Sequence, residues 1–206
     1  MHYSWDKPMI LIRRNLWLRR RRLAMFGLKK SDRILDLGCG DGLDIQILHG
    51  WGFTHLVGVD ISSKLLTAAK KRISGVRFIC ASADNLPFQD GAFTVVLADS
   101  VLYHLVGNTK AVKEIQRVLV RGGILCFIDM HMSWKRTLFN ALTFSSANQI
   151  IPYLRKRKNA YLAEKQAIER WQKGQKDFLH MLENSGFQKV YTRIHGLSLI
   201  GQYQRI

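Results

Sequence analysis

The sequence predicts an α/β fold: a doubly wound, mostly parallel sheet of seven strands with helices on both faces. Three observations carry this. Short apolar runs alternate with helical patterns from about residue 33 to residue 130, the mark of repeated strand–helix–strand units. The stretch Ile34-Leu-Asp-Leu-Gly-Cys-Gly-Asp-Gly42 reads as a buried strand entering a glycine-dense turn. Val57-Gly-Val-Asp60 reads as a second buried strand with an acid at its tip. Ligands of such sheets lie at the carboxyl ends of the strands, so the turn and the acid mark a nucleotide pocket.

The elements follow in order. A first helix is expected from Pro8 to about Phe26, stopped near Gly27, with Ile12, Leu16, Leu23 and Phe26 near one face. Arg13, Arg14 and Arg19 to Arg22 surround that face. Strand 1 is Arg33–Leu37, followed by a helix from about Leu43 to Trp51, and strand 2 is His55–Asp60. Ser62 is placed to cap a helix running to about Arg72. Strand 3 is Val76–Cys80, strand 4 is Phe93–Ala98, a helix covers about Thr109–Leu119, and strand 5 is Gly123–Asp129. A long excursion from roughly Met130 to Gly174 follows, with apolar Leu138, Phe139, Leu142, Phe144 and Ile150-Ile-Pro-Tyr-Leu154, then the basic run Arg155–Lys158. A separate helix is expected near Gln175–Asn184, closed by Gly186. Phe187–Ile194 and Leu197–Gln204 read as a closing hairpin that turns at His195-Gly196.

The glycine turn narrows the choice of nucleotide. A dinucleotide fingerprint spaces its glycines G-x-G-x-x-G and offers a helix N-terminus to a pyrophosphate. Here the spacing is G-x-G-x-G, and Asp36, Asp41 and Asp44 crowd the turn. Carboxylates repel a pyrophosphate and attract a sulfonium and an ammonium. S-adenosylmethionine carries both cations and no phosphate, and is the expected cofactor. Asp60, about 20 residues past the glycines, stands where an acid accepts from the two ribose hydroxyls.

These residues resemble the class I S-adenosylmethionine-dependent methyltransferases, in the broad group that includes the ubiquinone/menaquinone C-methyltransferases. Three further stretches carry the resemblance: Ala81-Ser-Ala-Asp84-Asn-Leu-Pro-Phe88, Phe93-Thr-Val-Val-Leu-Ala-Asp-Ser-Val-Leu-Tyr-His-Leu105, and Glu114-Ile-Gln-Arg-Val-Leu-Val-Arg-Gly-Gly-Ile-Leu125. The last departs from the usual Lys-Pro pair, which is Val120-Arg121 here. The likeness spans about residues 31–130, with a weaker match over 177–206. It implies a Rossmann-like fold with one antiparallel strand among the last two, and a cofactor site built from Asp36, Gly38, Cys39, Gly40, Asp60, Ile61, Ala83, Asp84, Asn85 and Asp99. In it the loop acid Asp84 binds the adenine amino group, Ile61 packs on the adenine, and Asp36 orients the glycine loop or the methionyl amine. Methyl transfer from a sulfonium needs mainly an aligned acceptor, and a base only when the acceptor must lose a proton. His104, just past strand 4, and His131, at the end of strand 5, are the base candidates. Each is weighed against a structural His packed near the site. Asp129 shares that position, and Tyr3 and Trp5 are candidates for an N-terminal lid.

Length and charge bound the rest. The chain has 206 residues, 47% of them hydrophobic, enough for one well-packed domain. Its expected parts are a basic N-terminal helix (1–30), a cofactor-binding core (31–130), a lid insertion (131–174) and a closing helix and hairpin (175–206). Cys39, Cys80 and Cys126 lack metal-ligand spacing and suit a reducing cytoplasm. No apolar run reaches the roughly 20 residues that span a bilayer. The Arg-rich start has the composition of a transit peptide but merges into the domain without a cleavage-like break. The net charge of +17 is uneven. Residues 1–33 hold ten basic residues and two acids, residues 34–130 nine of each, and residues 131–176 ten and two. A neutral core thus lies between two basic flanks. Basic amphipathic segments bind anionic membrane surfaces, which suits a small or lipid-like acceptor. The same charge suits a phosphate backbone, making an RNA methyltransferase the first alternative. A non-catalytic cofactor-binding or membrane-associated accessory protein is the second, and solvated helix faces are the plain reading of the charge.

Overall fold

In the computed structural model, which describes residues 15–131, 134–146, 149 and 151–206, the chain begins with α1 (Leu16–Ala24), β1 (Ile34–Leu37), α2 (Leu43–Gly50) and β2 (Leu56–Asp60). It continues through α3 (Ser63–Arg72), β3 (Arg77–Cys80) and β4 (Phe93–Asp99) to a 3-10 turn (Leu102–His104). Then come α4 (Thr109–Val118), β5 (Leu119–Met130), α5 (Trp134–Phe144), α6 (Pro152–Asn184), β6 (Phe187–His195) and β7 (Ser198–Arg205). The candidate lid residues Tyr3 and Trp5, and the expected start of the first helix at Pro8, lie outside the described residues.

The strands of the described residues form one seven-stranded sheet in the order β3-β2-β1-β4-β5-β7-β6. The first five pair in parallel, while β7 runs antiparallel to both β5 and β6. Among the described residues β7 is therefore the one reversed strand, as the resemblance implies. The strand order reverses between β1 and β4, the switch point where doubly wound sheets open a crevice.

Side chains alternate across each strand, so the residue pattern decides which face every acid joins. Ile34, Val95, Leu97, Cys126 and Ile128 pack with Leu23 of α1, Ile45 and Leu48 of α2, and Leu66 and Ala69 of α3. Leu35, Leu37, Val96, Ala98, Leu125 and Phe127 pack with Val112 and Ile115 of α4 and Ile168, Trp171 and Phe178 of α6. Each such burial contributes about 1.5–3 kcal/mol. By the same alternation Asp36, Asp60 and Asp99 belong to the α1–α3 face, and Asp129 to the α6 face.

Local expectations hold at several ends. Ser62 Oγ accepts the Leu65 N–H at 3.3 Å, capping α3. Gly186, in the left-handed region at φ +82°, follows α6, and Gly196 at φ +61° turns the hairpin. Three expectations are corrected. α1 does not bury a purely apolar stripe: Leu23 and Phe26 are buried, Leu16 is exposed, and Arg19 and Arg22 are buried beside them. β5 begins at Leu119, paired with Phe93, and its ladder shifts register before Val95 near the Gly122-Gly123 bend. Finally, α6 runs unbroken for 33 residues through Gly174, where a helix break is expected from sequence. Tertiary contacts hold that helix. Trp171 Nε1–H and Gln175 Nε2–H both donate to the Met130 carbonyl, at 2.8 and 3.0 Å. At Gly174 a Cβ would stand 2.9 Å from Val106 Cγ1, so the glycine serves close approach rather than helix termination.

Candidate active site

The carboxyl ends of β1, β2 and β4 bring three acids to one face. Asp36 is 2% exposed, and among the described residues no hydrogen-bond partner meets its Oδ2. Burial, reinforced by the Asp44 carboxylate, holds Asp36 well above the ordinary carboxylate range, while Arg19 pulls the other way. A buried carboxylate oxygen without a partner is costly, and such atoms collect where a ligand completes the set. Asp60 Oδ2 accepts the Gly40 N–H and its Oδ1 the Ser62 N–H, both at 2.8 Å. Burial raises its pKa against those two N–H groups.

The glycine loop between β1 and α2 sits above these acids. Gly38, Gly40 and Gly42 all have positive φ. A Cβ on Gly38 would lie 2.5 Å from Val101 Cγ2, whereas one on Gly40 would meet nothing within 4 Å. Gly38 is thus a packing glycine, and Gly40 borders open space. Cys39 is buried, and burial pushes its thiol pKa up, which leaves it protonated and unsuited to nucleophilic work. Of the loop acids, Asp41 turns outward to Arg72 Nη2 at 2.8 Å and leaves the cluster. Asp44, in the first turn of α2, stays in it.

At the tip of β4, Asp99 Oδ1 accepts the Ser100 hydroxyl at 2.8 Å. Ser100 has φ +65°, a conformation a non-glycine residue rarely adopts and one that gathers at functional sites. Asp99 Oδ2 faces Arg19 Nη1 at 3.1 Å and Arg22 Nη2 at 3.9 Å. Arg19 Nη1 also pairs with Asp44 Oδ1 at 2.5 Å. Burial works against the charge on Arg19, but Asp44 and then Asp99 keep its pKa above the ordinary arginine value.

Ile61 is half-exposed at the tip of β2, and its carbonyl accepts from the Cys80 thiol. The loop after β3 stands beside it, since the Ala81 N–H donates to the Asp60 carbonyl at 3.2 Å. Within that loop Ala83 is half-buried, and Asp84 and Asn85 are exposed. Asp36, Asp60 and Asp99 thus stand at or near the carboxyl ends of β1, β2 and β4 with Gly38, Cys39 and Gly40 in the adjoining loop, while Ile61 follows β2 and the 83–85 loop follows β3.

The two histidines occupy the other side. His104 closes the 3-10 turn, its ring 3.8 Å from that of Tyr103, whose hydroxyl donates to Glu164 of α6 at 2.5 Å. His131 follows β5, its N–H bonded to the Leu197 carbonyl at 2.9 Å. Asp129 acts on the backbone, because its Oδ2 accepts the Leu102 N–H at 2.9 Å and fixes the turn that carries His104. Sequence reasoning missed Arg19 and Arg22 and left Asp44 out of the site. The available signal was that Arg19, Arg22, Leu23 and Phe26 form an i, i+3, i+4, i+7 row, so the two arginines share the buried face.

With this geometry in place, comparison with known proteins is decisive. A methyltransferase-domain family model matches residues 35–127, the span from β1 to β5. The ubiquinone/menaquinone biosynthesis C-methyltransferase of Campylobacter jejuni is 29% identical over 183 residues, covering 82% of this chain and 76% of its own length. Residues 35–127 form a class I S-adenosylmethionine-dependent methyltransferase domain. A demethylmenaquinone methyltransferase from Clavibacter sepedonicus is likewise 29% identical, over 79% of this methyltransferase and 68% of its own length. In fold, the methyltransferase is similar to an S-adenosylmethionine-dependent methyltransferase of Methanosarcina mazei (TM-score 0.65, 21% identity, 89% of this chain and 97% of that one). The cofactor of this methyltransferase is S-adenosylmethionine. The residues present fit it: among the described residues the buried Asp36 Oδ2 has no hydrogen-bond partner and can meet a cation, and none stands within 4 Å of a Cβ placed on Gly40.

Proposed function

We propose that this methyltransferase methylates a lipophilic small molecule of quinone type, met at an anionic membrane surface. The observation that carries the reading is the apolar, basic character of the helices that leave β5. Leu138, Leu142, Phe144, Ile151, Tyr153 and Leu162 are 41–56% exposed, beside the cationic Arg155 and Lys158. Large apolar side chains held in the open mark an interaction surface, and neighbouring cations select an anionic one. α1 repeats the pairing, with Trp17 exposed and Arg21 stacked on its ring at 4.7 Å. No described helix is long and apolar enough to cross a membrane, and the contact proposed here is a peripheral one. The C-methyltransferase relatives act on quinone precursors by name, which favours the same acceptor class here.

Within the site, Asp60 holds the ribose hydroxyls, Asp84 and Asn85 the adenine edge beside Ile61 and Ala83, and Asp36 the ammonium. Bound there, S-adenosylmethionine supplies an electrophilic methyl group on its sulfonium. The protein's work is to align the acceptor and exclude water. His104, which ends the 3-10 turn after β4, and His131, which follows β5, are the candidate bases for an acceptor that must lose a proton.

The test is radiolabel transfer from the cofactor into a cell extract, split into lipid, RNA and small-molecule fractions. Label in the lipid fraction, together with sedimentation on anionic but not neutral liposomes, is the expected result. Label in RNA, with a salt-dependent RNA shift, would replace this reading with the nucleic-acid one. Transfer to no fraction by protein that binds the cofactor would favour the accessory role.

A further inference from the structure

Helices from both faces of the sheet meet at its carboxyl edge. α1, which packs with the α2–α3 face through Leu23, reaches that edge twice: Arg19 meets Asp99 at the end of β4, and Arg22 Nη1 donates to Ser198 Oγ at the start of β7 at 3.2 Å. α6, on the other face, reaches it where Glu164 accepts from Tyr103 just past β4 and where Trp171 bonds Met130 at the end of β5. α5 leaves the same end of β5 and is tied to α6 by Arg157, which donates to Asn140 Oδ1 at 2.8 Å and to the Thr143 hydroxyl. The switch point between β1 and β4 opens on this edge, between the two sets of helices.

Both rims turn apolar side chains to the solvent. The buried row of α1, Arg19, Arg22 and Leu23, faces the strand tips, so Trp17 and Arg21, about half a turn round, face outward from the edge. Trp17 is 62% exposed there. On the other rim Leu138, Leu142, Ile151, Tyr153 and Leu162 are exposed. Neither rim carries an acid: residues 15–31 hold six basic residues and no Asp or Glu, and residues 134–163 hold another six and none. The first acid after them, Glu164, is buried. We propose that this edge is the membrane-facing one: α1 and the α5–α6 pair dip into the same anionic bilayer, so that the crevice mouth is pressed to the lipid and the acceptor enters from the bilayer. Tryptophan beside arginine on one helix, and leucines beside cations on another, suit a surface that is anionic outside and apolar beneath. The orientation rests on the peripheral contact proposed above and adds which edge of the molecule makes it.

The competing arrangement is docking by α5–α6 alone, with the mouth turned to water. Single nitroxide labels separate the two, placed on a Cys80→Ser background whose remaining Cys39 and Cys126 are buried. Trp17→Cys, Leu142→Cys and Tyr153→Cys carry the label on the two rims, while Ser74→Cys and Asp90→Cys, ahead of β3 and β4, mark the opposite edge. On vesicles of phosphatidylglycerol and phosphatidylcholine, the three rim labels should pass together from collision with a water-soluble nickel chelate to collision with oxygen. Their expected depth is about 5–10 Å, and the two labels at the opposite edge should not change. A label at position 17 left in water while the other two insert would overturn the orientation, as would aqueous values at all three on bound protein. The unlabelled protein gives a second reading: brominated lipid should quench a fluorescence component that Trp17→Phe lacks, and equal quenching in both would count against α1. Failure to sediment with the vesicles at all would remove the membrane contact itself, and the orientation with it.

Discussion

At the scale of single residues, the donor site trades stability for binding. Asp36 is the clearest case. Its pKa is raised by burial, so the stability it contributes is present while it is protonated and is lost as pH rises through the raised value. Asp36→Asn is therefore expected to raise the thermal midpoint of the free protein at pH 8 by about 2–4 °C, the shift for roughly 1 kcal/mol in a chain of this size. The same variant should weaken donor binding by about tenfold or more. The donor's cation favours the ionised form, so binding should release protons and tighten as pH rises towards the free-state value. Calorimetry in buffers of different ionisation enthalpy reads that release directly, and proton uptake would contradict the assignment. The glycine loop gives a paired test. Gly38→Ala drives a Cβ into Val101 at positive φ and should cost about 2–4 kcal/mol in urea denaturation. Gly40→Ala carries only the backbone strain of about 1–2 kcal/mol, yet its Cβ intrudes on the open cradle and should abolish donor binding.

At the scale of elements, α6 and the 3-10 turn form one supporting unit behind the acceptor side. Trp171 is fully buried, packs near Phe178 with ring centroids 5.8 Å apart, and bonds the end of β5 through Met130. Trp171→Ala should cost about 3–5 kcal/mol, while Trp171→Phe, which loses mainly the indole N–H bond, should cost about 1–2 kcal/mol. Chemical denaturation of the two variants measures the difference. If α6 were a lid that merely rests on the core, both losses would fall near zero.

At the scale of the whole molecule, charge is divided by depth as well as by sequence. Arg19 and Arg22 of α1 are buried, whereas Arg20, Arg21 and Arg155 are exposed and Lys158 is half-buried. Salt screens exposed charges over roughly 10 Å at 0.1 M and buried pairs far less. Raising salt from about 0.05 to about 0.5 M should therefore strip the protein from anionic vesicles and slow methylation of a vesicle-borne acceptor. Donor affinity measured over the same range should change little. A parallel fall in both would mean that the donor cluster is open to solvent.

The alternation of apolar runs and the glycine–acid motifs were enough to read the doubly wound sheet and the cofactor, and the resemblance supplied its reversed strand. Those features repeat at fixed short spacings, which a sequence displays directly. Two matters were decided only by the tertiary structure. Gly174 reads as a breaker, yet contacts to Met130 and Val106, distant in sequence, keep α6 continuous. Arg19 and Arg22 read as part of a solvated basic run, yet one helical face carries them with Leu23 and Phe26 under the sheet edge, where Asp44 and Asp99 wait. Local pattern determines which backbone forms, because periodicity and turn chemistry act between neighbours. Which charges are desolvated, and against what, depends on strand order and register, and only the folded chain brings those partners together.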